Sequence, residues 1–388
     1  MSIAAGDKKI MISQPSSKFN TYSLSKFFNQ SLETRRTNKG NLQHTFYDIL
    51  LVVLVSALCG LEKYSLMVQF AKNELEWFKK YGEFDSGIPS SETIRRFLTS
   101  LDTAVFQECY SNWIGSLCDL DEVKSIAIDG KTIRGASTKS NPNSINPHIL
   151  TAWASEQGLS LGQLRVDDKS NEITAIPELI KKIVVKGSVF TIDAMGCQKD
   201  IVSEITSHQA DYIIAVKGNQ KSLEIAIKDT ALLEKPDDVS VKEDIGHGRV
   251  EKRTCSIYRD LSHLCPKNSW QGLKQFVSIE SQVFCKSTKK TTTQTRYYIT
   301  SLEEGALKMN QLIQQHWSIE NQLHWILDVS FNEDCSRKRA GNSAENFNII
   351  FKSALSILKN DKSINKPLSH KKLEALINRK YRSELMKF

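Results

Sequence analysis

A mixed α/β fold preceded by a small all-helical region is predicted by three observations. Apolar residues recur at helical spacing between residues 44 and 120. From residue 121 onward, short β-branched runs alternate with amphipathic stretches. Those runs also come in a definite order: three strands, a helix, a strand, a helix and a strand. At 388 residues, 40% hydrophobic and 25% charged, the chain can bury a full core and divides into two or three domains.

Residues 1–42 are polar and rich in Ser, Asn and Lys, which predicts a loose arm with at most a short helix over 23–32. The run at 49–61, interrupted only by Ser56 and Gly60, predicts a buried core helix and is too short to span a bilayer. Amphipathic segments over 65–81 and 90–100 complete a helical domain spanning 43–120. The last begins with Ser90 as a start signal, Glu92 in the first turn and an apolar stripe of Ile94, Phe97 and Leu98. Arg95 and Arg96 fall off that stripe. Such a helix suits either DNA recognition in a helix-turn-helix or plain helical packing.

Strands are expected over 125–129, 148–154 and 159–166, a helix over 173–183, a strand over 189–193, a helix over 197–208 and an apolar strand over 211–216. That is the order of a ribonuclease-H-like core, a mixed five-stranded sheet in which the first and fourth strands lie side by side. Residues 218–295 are less regular, with β-leaning segments at 253–258 and 275–283, and read as an insertion. A strand over 296–301 then leads into a proline-free helix over 305–328. The α/β domain therefore spans 121–335, followed by a basic helical segment over 336–388.

Three acids stand at telling places in this plan. Asp129 and Asp193 end the first and fourth strands, and Glu320 sits on the late helix. Carboxylates gathered from distant sequence can flank divalent ions about 4 Å apart and activate a water or 3′-hydroxyl for phosphoryl transfer. Mg²⁺, with Mn²⁺ as a substitute, takes oxygen ligands and retains waters, so a few carboxylates suffice. Residues 313, 316, 320, 324 and 327 share one helical face, which places His316 and His324 beside Glu320 and points Trp317 and Trp325 elsewhere. The histidines then contact DNA or groups just behind the acids, are ordinary satisfied helix residues, or join Glu320 as zinc ligands.

The formal charge is +8, and residues 336–388 alone carry 13 Lys or Arg against 4 Asp or Glu, a net +9. A polyanionic partner or a solvated helical face accounts for that concentration. Lys131, Arg134 and Lys217 follow strand ends near the acids and, with the Arg337-Lys338-Arg339 cluster, are candidates for contacts to a nucleic-acid backbone. The eight cysteines form no C-x-x-C pair, as in a reducing cytoplasm, and no apolar leader opens the chain.

The strings Ala127-Ile128-Asp129-Gly130-Lys131-Thr132-Ile133-Arg134-Gly135, Thr191-Ile192-Asp193-Ala194-Met195-Gly196-Cys197-Gln198, Val216-Lys217-Gly218-Asn219-Gln220 and His316-Trp317-Ser318-Ile319-Glu320-Asn321-Gln322-Leu323-His324-Trp325 resemble bacterial insertion-sequence transposases of the H-repeat-associated (ISAs-type) family. The resemblance covers about residues 46–358. It implies a DDE triad falling on Asp129, Asp193 and Glu320, Mg²⁺ dependence, recognition of the terminal inverted repeats of double-stranded element DNA, excision and strand transfer into target DNA. It also implies a homodimer or larger assembly on paired ends, in the bacterial cytoplasm at the nucleoid and away from any membrane. Related transposases often carry a Tyr, an Arg and a Lys at the positions of Ile313, His316 and Leu327, and none is kept here. Their grip on phosphate then falls to His316, His324 or the Arg337-Lys338-Arg339 cluster. Two alternatives remain at this level: a metal-dependent nuclease that does not rejoin ends, and a catalytically silent DNA-binding descendant.

Overall fold

Thr45 starts the first long helix by accepting a hydrogen bond at its Oγ1 from the Asp48 N–H, 3.0 Å away. Helix α1 (Phe46–Leu58) follows, buried on all sides except at Tyr47. Even Asp48 is inside, accepting from the backbone N–H groups of Glu83 and Phe84 at 2.9 and 3.1 Å. The computed structural model describes residues 26–28, 42–117, 122–137, 146–166, 172–183, 186–246, 248–262, 264 and 269–387. The expected arm over 1–42 lies almost wholly outside them. After α1 come α2 (Tyr64–Asn73), α3 (Leu75–Phe78), α4 (Ser91–Ser100) and α5 (Thr103–Leu117). Ser90 caps α4, and Ile94, Phe97 and Leu98 form its buried stripe.

The sheet begins with β1 (Ser125–Thr132), β2 (His148–Ala154) and β3 (Leu159–Val166), joined antiparallel. Helix α6 (Glu172–Lys182) leads to β4 (Val189–Ile192), and α7 (Lys199–Ser207) to β5 (Asp211–Val216). Strands β1, β4 and β5 run parallel. Helix α8 (Lys221–Leu233) then precedes β6 (Asp238–Gly246), β7 (Arg249–Tyr258), β8 (Gln275–Cys285) and β9 (Lys290–Thr300). The sheet has nine strands in the order β3-β2-β1-β4-β5-β9-β8-β7-β6, not the five expected. The added segment is no irregular excursion; it extends the same sheet through an antiparallel β5–β9 pair. The expected β-leaning segments at 253–258 and 275–283 and the strand over 296–301 fall on β7, β8 and the end of β9, whereas β6 was not expected and the first half of β9, Lys290-Thr291-Thr292-Thr293-Gln294-Thr295, is exposed at every position and carries no apolar alternation.

Helix α9 (Ala306–His316) lies on one face of this sheet, where Met309, Leu312 and Ile313 pack with Cys255, Ile257, Val277 and Ile279 in a separate small core. It does not continue unbroken to residue 328. Residues Glu320–His324 form a π-turn, in which the Trp325 N–H donates to the Glu320 carbonyl, before α10 (Trp325–Ser330).

Three helices close the chain: α11 (Ser343–Asn360), α12 (Leu368–Ile377) and α13 (Arg379–Leu385). Helix α11 is buried over most of its length and packs against α1, α4 and α5. The early helices and the late ones therefore share one apolar core, which continues into the sheet. The helical region before residue 120 does not stand alone. The basic C-terminal segment also owes much of its charge to internal work. Lys352 donates to Thr151 Oγ1 and Gln163 Oε1 at 2.8 and 2.5 Å, and Lys371 to the carbonyls of Leu358 and Asp361 at 2.9 and 2.6 Å. Arg382, fully buried, pairs with Glu74 at 2.6 Å and stacks on Phe70 and Trp77.

Candidate active site

Parallel pairing brings the first two acids together. Ala127 is in register with Thr191 and Ile128 with Ile192, so Asp129 and Asp193 are the next residues along two adjacent parallel strands. In open α/β sheets the crevice outside such carboxyl ends is where ligands bind. Neighbouring residues of each string have structural duties. A β-carbon on Gly130 would fall on His148 and Glu172, whose buried side chains meet Nε2 to Oε1 at 2.5 Å while His148 Nδ1 meets Thr132 Oγ1 at 2.8 Å. Gly135 is likewise crowded by the backbone of Asp334 and Ser336. Asp193 Oδ1 accepts from the Met195 N–H at 3.0 Å, closing a short turn over Ala194–Gly196. The amides of Asn219 and Gln220 donate to the carbonyls of Ala194 and Cys197 at 2.6 and 2.8 Å, so the Lys-Gly-Asn-Gln string braces the Asp193 turn.

Glu320 comes from the π-turn. With Asp129 and Asp193 it lines a cavity of about 390 Å³ whose other walls include Lys217, Lys228, Arg296, Tyr297, His316 and Trp317. Trp317, expected to point away, faces this cavity and carries the Arg296 guanidinium at 4.8 Å from its ring centre. The two histidines turn inward. His316 Nδ1 shares a hydrogen bond with Thr191 Oγ1 at 3.0 Å, and His324 Nδ1 lies 3.5 Å from Asp129 Oδ2.

Burial, then the nearby charges of Asp193 and Glu320, pushes the Asp129 carboxyl up to about 7. Burial also holds His316 below its ordinary value and, with Lys352 and Lys131 nearby, drives His324 down to about 3, so both imidazoles are neutral at pH 7. Among the described residues no Lys or Arg forms an ion pair with Asp129, Asp193 or Glu320. Of the lysines that line the same cavity, Lys228 is paired with Glu224 at 2.6 Å, whereas Lys217 is exposed. An uncompensated set of carboxylates beside exposed cations suits hard cations and a phosphate. No three His, Cys, Asp or Glu side chains among the described residues stand close enough to enclose a metal ion. That spacing is compatible with Mg²⁺, which is held through one or two carboxylates and keeps several waters. It does not favour zinc on His316, Glu320 and His324, because each imidazole is directed to a different strand.

The remaining candidate cations divide sharply. Lys131 pairs with Asp328, Glu333 and Asp334 at 2.7, 2.8 and 3.3 Å and is therefore engaged inside the fold, not offered to a phosphate. Burial works against its charge, yet Glu333 and Asp328 more than offset this and hold the ammonium above its ordinary value. Lys338 sits over the Phe347 ring at 4.2 Å, and burial lowers it to about 8. Arg339 donates to the Gly135 carbonyl at 3.1 Å while remaining exposed. Arg134 is 81% exposed, and Arg337 is exposed. Arg95 and Arg96 both bond to Glu92 on the surface of α4. The Lys131 cluster and the Arg296–Trp317 stack were not foreseen, since each joins residues from separate parts of the chain with no shared local pattern.

Comparison with known proteins follows the same outline. Residues 124–357 match the family described as the transposase DDE domain, and residues 26–114 match its DDE_Tnp_1-associated family. The chain belongs to the DDE transposase family. It is 38% identical over 357 residues to "Putative transposase YncI" of Escherichia coli O157:H7, covering 90% of each chain. It is 37% identical to "H repeat-associated putative transposase YhhI" of Escherichia coli K12, over 89% of this chain and 93% of that one. A cryo-EM structure of a piggyBac transposase synaptic complex with hairpin DNA aligns with a TM-score of 0.47 at 11% identity, over 95% of this chain and 81% of that one. Among the described residues no helix is long and apolar enough to cross a membrane.

Proposed function

We propose that this protein is an active transposase that cleaves the ends of an insertion element and joins them to target DNA, using β1 to β5 as a ribonuclease-H-like core. The observation that carries this reading is the convergence of Asp129, Asp193 and Glu320, from three distant stretches of sequence, on one cavity that Lys217, Lys228 and Arg296 also line. Asp129, Asp193 and Glu320 would hold the divalent ions. When bound, Mg²⁺ or Mn²⁺ supplies activation of a water or 3′-hydroxyl and neutralises the leaving oxygen.

The chain's own groups do the rest. Lys217 and Arg296 meet phosphate oxygens opposite the acids, and the neutral imidazoles add no charge of their own to the acid cluster. The exposed guanidiniums of Arg95, Arg96, Arg134, Arg337 and Arg339 contact the backbone of double-stranded DNA, either element termini or target. Two copies, or more, act on paired ends.

Mg²⁺-dependent cleavage of a labelled duplex carrying the element terminus tests this reading, with pre-cut ends to score joining. Wild type is expected to cut and join, and Asp193→Asn to bind the duplex without cutting. Cutting by Asp193→Asn overturns the site. Cutting without joining makes the protein a nuclease, and binding without cutting in wild type makes it a silent DNA-binding descendant.

A further inference from the structure

Glu320 sits in a stretch of backbone that is not α-helical, and it is flanked by two half-buried histidines that each reach a different acid-bearing strand. His316, four residues before it, shares a hydrogen bond with Thr191 on β4, two residues ahead of Asp193. His324, four residues after it, approaches Asp129 itself on β1. From this we infer that His316 and His324 are positioning residues: together they staple the Glu320 turn across β1 and β4 and so set the third carboxylate against the other two. The inference deepens the transposase reading and rests on it for its catalytic consequence.

Helix geometry explains why a π-turn belongs here. An unbroken α-helix turns about 100° per residue, so over the eight residues from His316 to His324 the side-chain direction drifts about 80° beyond two full turns. In such a helix the two imidazoles would splay apart and not point the same way. The wider turn closed by the Trp325 N–H and the Glu320 carbonyl takes back part of that drift. Both rings consequently face the sheet, and Glu320, between them, is left exposed at the cavity. His324 Nε2 has no hydrogen-bond partner among the described residues, an orphaned buried polar atom that packing alone does not call for.

Two measurements on the full chain test the staple. The first is amide hydrogen exchange over residues 317–325 without DNA, in wild type, His316→Ala, Thr191→Val and His324→Ala. Faster exchange confined to that stretch, at an unchanged unfolding midpoint, is expected. Unaltered exchange overturns the staple whether or not the protein is active.

The second measurement is single-turnover cleavage at saturating DNA beside DNA affinity. His316→Ala and Thr191→Val should each slow cleavage about 10²-fold, the effect of a displacement near 1 Å, while affinity stays at the wild-type value. The double variant should be no slower than either single, because both remove one contact. His316→Asn and His324→Asn, whose amides can occupy the Nδ1 position, should recover most of the rate and serve as the folded variants should the alanines fail to fold. Multiplicative effects of His316→Ala and Thr191→Val, or lost affinity at an unchanged rate, overturn the proposal and return the histidines to the role of DNA contacts. A wild type that never cuts defeats the transposase reading, with hydrogen exchange still deciding the staple.

Discussion

Two groups of three carboxylates lie close together in this protein and behave oppositely. Asp328, Glu333 and Asp334 surround Lys131, two residues past Asp129, and are closed by its charge. Asp129, Asp193 and Glu320 have no paired Lys or Arg among the described residues, and burial, with the charges of Asp193 and Glu320 added, raises Asp129 to about 7. One cluster holds the strand against the segment that follows α10. The other keeps its repulsion until something outside the chain relieves it. Clustered acids alone are therefore no sign of a reactive site; the absence of an internal counter-charge is what separates the two.

Charge removal should separate them most strongly in rate. Glu320→Gln should slow metal-dependent cleavage by on the order of 10³-fold yet leave the thermal midpoint at or above the wild-type value, since it lessens repulsion. A fall in midpoint would show that the open cluster also stabilises the fold.

Lys131→Met should do the reverse to stability. It strands buried Glu333 and its two neighbours, so a loss of about 3 kcal/mol is expected in denaturant unfolding. An unchanged midpoint would mean that the three acids find another partner. Gly130→Ala tests the strand between the clusters. Its new methyl meets the buried His148–Glu172 pair, and overpacking of this kind costs about 1–3 kcal/mol.

The gentlest probe is pH. The folded-state value of Asp129 lies above its unfolded one, so between about pH 4 and 7 the folded chain binds the extra proton. In metal-free buffer this group's contribution to stability should fall as pH rises through that window, by about 1.4 kcal/mol per unit at most. Asp129→Asn should flatten the slope, and so should Mg²⁺. The Mg²⁺ concentration for half-maximal cleavage should rise as pH drops below about 7, because ligation requires the proton to leave. A slope that survives Asp129→Asn would assign the effect to another group.

Local pattern made β2, β3 and β5 legible to the residue, because alternating or continuous apolar runs bounded by turns are a local property. The nearness of β1 and β4 was legible from element order. What escaped depends on partners far away in the chain. Lys131 and Lys338 look like surface cations until Glu333 and Phe347 are folded onto them, and the inward aim of His316 and His324 depends on a π-turn that helical periodicity does not announce. β6 and the first half of β9 escaped for the converse reason, since they are exposed at most positions and carry no buried apolar face.

Helix α1 has a consequence for synthesis. It is apolar nearly all round, and α11, one of the helices that cover it, begins at Ser343, 285 residues after Leu58. At about 5–20 residues per second, α1 leaves the ribosome on the order of 15–60 s before that cover exists. The nascent chain thus carries a sticky helix through most of its own translation, and the sheet bearing the acids gains its full packing only when the late helices arrive.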